Sequence, residues 1–128
     1  SVFKKNREFV ISACFTLENV EFDEAREKCD KFLKLRQKKN PKGRSCGSVF
    51  KNDGYFAGRV IEQAGLKGAT EGGAKVSEKH ANFIIADKNA TSGDIKKLIT
   101  RIKNVVKEKT DIELFEELEY IGEFDEQQ

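Results

Sequence analysis

The fold is decided by one stretch of the chain, residues 91–107, which reads TSGDIKKLITRIKNVVK. Its first four residues, Thr91 to Asp94, resemble a capping box, in which two side chains each bond the other residue's backbone N–H. Apolar residues then recur at three- and four-residue steps, the period of one helix face. They are Ile95, Leu98, Ile99, Ile102, Val105 and Val106. The stretch predicts a long amphipathic helix. Its basic residues fall mainly on the other side without interleaved aromatics, which favours a solvated face over a nucleic-acid site.

The flanking segments alternate between helical and extended patterns. Residues 22–39 have helical spacing, with Asp23 as the expected N-cap and Pro41 just beyond the end. Residues 55–64 predict a short helix, and Gly65 follows where a left-handed residue belongs. Strands are predicted at residues 8–17, 81–86 and 112–121. The order lacks a regular β-α-β cadence, so we expect an α+β fold: one compact domain with a small mixed sheet, two longer helices and one short helix.

Length and composition set the broad class of the protein. The 128 residues are 36% charged and 38% hydrophobic, which favours one folded domain with a modest core. The formal net charge of +2 does not favour nucleic acid as a partner, and no apolar run reaches membrane-spanning length. The three cysteines have no Cys-x-x-Cys spacing and there is one histidine, so we expect reduced thiols, no metal site and a cytoplasmic location.

A first loop, residues 45–52 with the sequence SCGSVFKN, is richer in small and polar residues than a scaffold needs. Gly47 allows the backbone to approach another molecule closely, and Ser48 follows it. A capped turn, with Ser48 bonding locally, is the more ordinary explanation of this pattern. No Gly-x-Ser-x-Gly motif is present, so a hydrolase triad is poorly supported.

A second loop region places glycines beside lysines, at residues 65–68 (GLKG) and 72–82 (GGAKVSEKHAN). Such a composition suits a phosphate or another anion, although the order of a Walker loop is missing. A lone histidine such as His80 is more often structural than a ligand or a base.

Taken in order, these stretches resemble the C-terminal region of UDP-N-acetylenolpyruvoylglucosamine reductases (UDP-N-acetylmuramate dehydrogenases), enzymes of bacterial cell-wall synthesis. The motifs that carry the resemblance are GSVFKN at 47–52, AG at 57–58, IEQAGLKG at 61–68 and GGAKVSEKHANFI at 72–84. Residues 89–91 and 113–122 continue the match, so it covers nearly the whole chain. Several ordered motifs with matching spacing are far more specific than any one of them.

The resemblance implies a reaction. In the family, NADPH reduces a bound FAD, and the enolpyruvyl group then takes a hydride from the flavin at its methylene carbon. A serine hydroxyl delivers a proton to the neighbouring carbon, and Ser48 matches that serine. A glutamate and an arginine flank the enolate. The family glutamate lies in a Leu-Glu-Pro-Glu-Val pattern before Ile-Gly.

Counting back from Ile121-Gly122 assigns the family glutamate to Glu117. Glu116, which stands where the pattern has proline, is the alternative. Alternation along a strand would put the two side chains on opposite faces, so only one can enter the site.

The resemblance also implies contacts with the UDP-sugar substrate. Asn52 and His80 would hydrogen-bond the diphosphate part, Lys67 would neutralise its charge, and Gly47 would allow close approach of the loop. A module that binds a nucleotide sugar or another anion through the same loops, without chemistry, is the alternative function.

The family's FAD-binding region, with a Tyr-Arg pair that supplies the arginine, would lie upstream of Ser1. Residues 1–18 are therefore expected to be the tail of the FAD-binding domain, its last strand, and residues 19–128 the substrate-binding domain. We expect the chain to need that N-terminal domain as its partner, and by itself to bind no FAD and to be inactive. The sequence does not indicate an oligomeric state.

Overall fold

The computed structural model describes residues 9–123, which form three helices and three strands. The helices are α1 (Phe22–Lys39), α2 (Ala57–Gln63) and α3 (Ser92–Thr110). The strands are β1 (Thr70–Glu71), β2 (Ala74–Val76) and β3 (Ile84–Ala86). The predicted α+β class, with two longer helices and one short one, is confirmed. The chain divides into two compact units between Leu33 and Lys34.

The first unit contains residues 9–21, which are neither helix nor strand, and most of α1. The strand predicted at residues 8–17 is therefore wrong over residues 9–17, while residues 1–8 lie outside the described part. A strand needs the backbone groups of a neighbour, and no described strand pairs with this segment. Helix α1 has the predicted bounds, but it begins at Phe22, which places Asp23 in the first turn and not at the N-cap. Large apolar side chains are exposed here: Phe9, Ile11, Phe15, Leu17, Phe22, Phe32 and Leu33.

The second unit is organised around α3, and its capping box is present as predicted. Thr91 Oγ1 accepts from Asp94 N at 3.1 Å, and Asp94 Oδ2 accepts from Thr91 N at 3.0 Å. The helix ends at Thr110, and its C-cap is Asp111, whose φ of 57° is left-handed. Its apolar face forms part of the core, as predicted. The fully buried larger side chains of this core are Val49, Phe50, Ile61, Val76, Leu98, Ile99, Ile102, Val106 and Leu114.

The sheet has the order β1-β2-β3, and both pairings are antiparallel. Gly72 and Gly73 form the two-residue turn between β1 and β2, and Gly72 has a φ of 51°. A Cβ on Gly73 would lie 2.6 Å from backbone atoms of Ala90, so only glycine fits there. These two glycines, which the sequence associated with an anion, are thus explained by a tight hairpin turn packed against the chain before α3.

The remaining two predicted strands are only partly formed. Residues 81–86 contain β3, but residues 112–121 make a single bridge, between Glu116 and Phe50. The neighbouring segment is bridged on its other side as well, by Ser48 with Phe83. Burial nevertheless alternates along residues 112–121 (the final segment) as it does along a strand. The side chains of Leu114, Glu116 and Leu118 are more buried than those of Phe115, Glu117 and Glu119.

Candidate active site

Ser48 is presented by a loop that is anchored on both sides. Gly47 before it has a φ of 90°, in the region that favours glycine. Val49 and Phe50 after it are each 1% exposed, and Val49 N donates to Asn82 O at 2.9 Å. The local turn bond is made by Ser45, whose Oγ accepts from Gly47 N at 3.5 Å. The Ser48 hydroxyl is exposed and has no hydrogen-bond partner among residues 9–123, so it does not cap the turn.

Asn82 holds this loop from inside the protein. It is 3% exposed, its Oδ1 accepts from Phe50 N at 2.9 Å, and its Nδ2 donates to Phe50 O at 2.8 Å. The amide therefore replaces a neighbouring strand on that edge of the loop. Sequence reasoning assigned no role to Asn82. The available signal was a polar residue placed among apolar ones just before a strand.

The final segment of the chain pairs with the other edge of the same loop. Lys51 N donates to Phe115 O and Glu117 N donates to Val49 O, both at 2.8 Å. The pairing brings Glu117, far from Ser48 in sequence, next to the loop of residues 45–52 that carries Ser48 (the serine loop). Ser48 and Glu117 line one surface depression of about 370 Å³, together with Cys46 and Leu118.

Glu116 faces away from this depression. Its Oε1 lies 2.8 Å from Lys103 Nζ of α3, and its side chain is 20% exposed. Burial raises the pKa of Glu116, but hydrogen bonds from Lys103 and Tyr120, with the charges of Lys103 and Lys96, outweigh burial and leave the pKa lowered. Glu116 is thus an ionised structural partner, and the two glutamates occupy opposite faces as alternation predicted.

Tyr120 contacts both Glu116 and α3. Burial raises the pKa of its hydroxyl, and its hydrogen bond to Glu116 raises the pKa further. Lys96 Nζ lies 5.6 Å from the centre of its ring, a cation–π distance. Two lysines that the sequence assigned to a solvated helix face, Lys96 and Lys103, are therefore only partly exposed, and both contact the segment that carries Glu117.

Asn52, Lys67 and His80 lie outside the lining of the depression. Asn52 is exposed, and its Oδ1 accepts from the N–H of Ala57, the first residue of α2, at 3.0 Å. Lys67 follows α2 and forms an ion pair with Glu62 at 2.6 Å. Gly65, predicted to be the left-handed residue after this helix, has a φ of 78°.

His80 packs closely on α2. A Cβ on Gly58 would lie 2.9 Å from its Cε1, and the His80 ring makes an edge contact with Phe83, with ring centroids 4.9 Å apart. Its Nδ1 accepts from Asn82 N at 3.2 Å, which assigns the proton of the neutral ring to Nε2. The imidazole therefore supports the loop with one nitrogen and can offer the other to a ligand.

Residues 76–83 make backbone hydrogen bonds both to the chain beside Lys67 and to the chain beside Ser48. On one side, Gly68 N donates to Val76 O at 3.0 Å, which fixes the backbone beside Lys67. On the other side, Asn82 O accepts from Val49 N beside Ser48. Between them, Ser77 N donates to Phe83 O at 2.8 Å. The backbone beside Ser48 and the backbone beside Lys67 are thus both held by residues 76–83.

Other kinds of site find little support in residues 9–123. This part of the chain contains no cluster of three or more His, Cys, Asp or Glu side chains arranged around a metal position. None of the helices described there has the length and hydropathy to cross a bilayer. The thiols of Cys14, Cys29 and Cys46 are free and exposed.

Comparison with known proteins identifies a family. Residues 37–121 match the model of the UDP-N-acetylenolpyruvoylglucosamine reductase C-terminal domain. The chain is 44% identical over 125 residues to the UDP-N-acetylenolpyruvoylglucosamine reductase of Caldanaerobacter subterraneus subsp. tengcongensis, which covers 96% of this chain and 41% of that protein. It is 46% identical over 116 residues to the enzyme of the same name from Enterococcus faecalis, covering 89% of this chain and 39% of that protein.

A solved structure gives the same result. The crystal structure of UDP-N-acetylenolpyruvylglucosamine reductase from Thermus caldophilus matches with a TM-score of 0.65 and 34% identity, over 77% of this chain and 36% of that one. The chain thus spans about two fifths of the length of the curated relatives that it matches. Through the match to residues 37–121, the chain belongs to the UDP-N-acetylenolpyruvoylglucosamine reductase family, in its C-terminal domain.

Proposed function

We propose that this chain is the substrate-binding and proton-donating part of a flavin-dependent reductase. The enzyme would convert UDP-N-acetylenolpyruvoylglucosamine into UDP-N-acetylmuramate with NADPH, for peptidoglycan synthesis in the bacterial cytoplasm. The main support is geometric: an exposed hydroxyl, Ser48, and a carboxylate, Glu117, line one depression although 69 positions separate them in the chain.

The reaction adds a hydride and a proton across the enolpyruvyl double bond. When bound, the flavin supplies the hydride to the methylene carbon, which leaves an enolate on the neighbouring carbon and its carboxylate. Ser48 Oγ–H gives its proton to that carbon, and solvent reprotonates the exposed serine. A serine is a weak acid, but the enolate carbon is strongly basic and a positioned donor benefits from proximity.

Glu117 would act on the enolate oxygens. The resemblance implies that this carboxyl group flanks the enolate and stabilises it or shares its proton. Its backbone is held by the Val49 carbonyl, so the carboxyl group approaches the substrate from a fixed position. An arginine from outside this chain would be the third group beside the enolate, after Ser48 and Glu117.

The depression suits a flavin ring held by another part of the protein. Ser48 and Glu117 are exposed, so the depression is open on one side, and Leu118 adds an apolar wall. A single hydroxyl and a carboxylate do not suit the cofactor's diphosphate. The FAD would therefore be bound by an N-terminal domain, with residues 1–18 as the tail of that domain and residues 19–128 as the substrate-binding domain.

The diphosphate of the substrate would be bound around the second loop. Lys67 supplies a flexible positive charge that can exchange Glu62 for a phosphate, since exposed ion pairs are weak. The Nε2–H of His80 and the side-chain amide of Asn52 would add hydrogen bonds. Gly47 leaves open space where a Cβ would stand, which allows a ligand to approach the serine loop closely.

The test is Ser48→Ala in a protein that joins this chain to a flavin-binding region of its family. Reduction of the flavin by NADPH should keep its rate. Reoxidation of the flavin by the enolpyruvyl substrate should slow by about 10²- to 10⁴-fold, the usual size of a proton-transfer contribution. Unchanged rates of both half-reactions would contradict the assignment of Ser48 as the proton donor.

A second measurement tests the proposed division of labour. The purified 128-residue chain should show no flavin absorbance and should leave NADPH and the nucleotide sugar unchanged. A stoichiometric flavin band in its spectrum would show that this chain binds the cofactor by itself.

A further inference from the structure

We infer that Lys103 is a positioning residue: by holding Glu116 on the inner face of the final segment, it directs Glu117 toward Ser48. The inference rests on the proposed function, because it concerns the geometry of the same pair. It adds a residue on a helix that takes no direct part in binding or chemistry.

The final segment has few backbone constraints beside the site. Two hydrogen bonds, from Lys51 N to Phe115 O and from Glu117 N to Val49 O, fix its register on the serine loop. Adjacent side chains of an extended segment point to opposite faces, so a slip of one residue would exchange the faces of Glu116 and Glu117. Side-chain contacts must therefore contribute to holding the register.

The ion pair of Lys103 is placed to do this. It joins α3 to the final segment across 13 positions, at 2.8 Å, with side-chain exposures of 39% and 20%. A second ion pair on the same helix, Lys107 with Asp111, has the same 2.8 Å distance but spans four positions, with exposures of 55% and 94%. The first pair constrains a tertiary arrangement, whereas the second is local to the end of the helix. The Lys107–Asp111 pair is therefore a matched control for the Lys103–Glu116 pair.

The backbone geometry of Glu116 leaves room for another way of restricting the final segment. Glu116 and Phe50 form a non-hydrogen-bonded pair, because both bonds of the bridge are made by the residues that flank them. The N–H of Glu116 therefore donates no bond to the serine loop, and a proline at this position would remove none. Proline also restricts the backbone. A proline ring at this position and the ion pair of Lys103 would therefore restrict the same short segment by different means.

The experiment compares variants in the same flavin-containing protein, with both half-reactions and the melting temperature measured. Lys103→Ala should slow flavin reoxidation by substrate on the order of tenfold, because small displacements of a reacting group are costly, while reduction by NADPH keeps its rate. Lys103→Arg should keep the wild-type rate. Lys107→Ala should leave both rates unchanged.

Glu116→Pro supplies the decisive comparison. It should support wild-type reoxidation, and in its presence Lys103→Ala should have no further effect. A Lys103→Ala rate equal to that of Lys107→Ala, or an undiminished Lys103→Ala effect in the proline background, would overturn the inference. If the proline variant does not fold, the contrast between alanine and arginine at position 103 decides. Failure of the proposed function is distinguished by Ser48→Ala, which would then leave reoxidation unchanged.

Discussion

Asn82 and Phe50 are joined by two hydrogen bonds, with the amide of one side chain bonding both backbone groups of the other residue at 2.8 and 2.9 Å. The backbone of the serine loop is thereby paired on both edges, by this amide and by the final segment. The pairing bears on the proposed site, because Ser48 and Glu117 lie on the two segments that meet here. A single buried side chain fixes the edge opposite the glutamate.

The variant Asn82→Asp tests this arrangement with almost no change of shape. A carboxylate accepts from Phe50 N but cannot donate to Phe50 O, so one buried carbonyl loses its partner and a charge is buried. We expect the free energy of unfolding to fall by about 1–3 kcal/mol, measured by urea denaturation. Asn104→Asp, at an exposed position of α3, is the control and should change it by less than about 0.5 kcal/mol. Equal effects of the two changes would show that the amide pairing contributes little.

A second prediction concerns Gly58 and His80. Replacing a helical glycine with alanine ordinarily stabilises a helix by about 1 kcal/mol. Here the new Cβ would stand 2.9 Å from the imidazole Cε1 and 3.2 Å from Nδ1. We expect Gly58→Ala to lower the melting temperature, because the ring must move and break its bond from Asn82 N. In a His80→Ala background the same change should raise the melting temperature, and a rise in both backgrounds would contradict the close packing.

A third prediction concerns the pH dependence of stability through Asp94. Hydrogen bonds from the backbone N–H groups of Thr91 and Gly73 lower the pKa of this carboxyl group below its usual value of 3.8. A lowered folded-state pKa contributes stability that is present above pH 3.8 and is lost as the pH falls through the folded-state value. Asp94→Asn should therefore reduce the melting temperature at neutral pH, and the difference from wild type should shrink below about pH 4. A difference that is constant from pH 3 to pH 7 would show that the charge is not involved.

The elements that the sequence predicted correctly are those with local determinants. Helix α3 has its capping box and its apolar period within one continuous stretch of sequence, and both appear in the structure. The strand predicted at residues 8–17 failed because pairing depends on a distant partner, which periodicity does not encode. The hairpin of β1 and β2 was missed because strands of two and three residues carry no readable period.

The site was predictable to a different extent. Ser48 and Glu117 were paired through the resemblance to a family, since no spacing rule connects positions so far apart. Asn82 was missed because the sequence does not show that a polar side chain will be buried with its partners. Lys103 was placed on the solvated side of its helix by its period, but that side borders the final segment and binds Glu116.

The last prediction separates binding from chemistry at Lys67. Its backbone is fixed, since Gly68 N bonds Val76 O and the preceding Leu66 is 5% exposed, so only the side chain can change partner. In the flavin-containing protein, Lys67→Ala should raise KM for the nucleotide sugar on the order of tenfold, the size expected for one hydrogen bond to a charged group, with kcat nearly unchanged. Glu62→Gln is the matched control: it removes the same ion pair but leaves the lysine available. Because Glu62 competes with phosphate for the ammonium group, this variant should lower KM or leave it unchanged, whereas an increase in KM for both variants would mean that the ion pair matters for structure and that Lys67 does not bind the substrate.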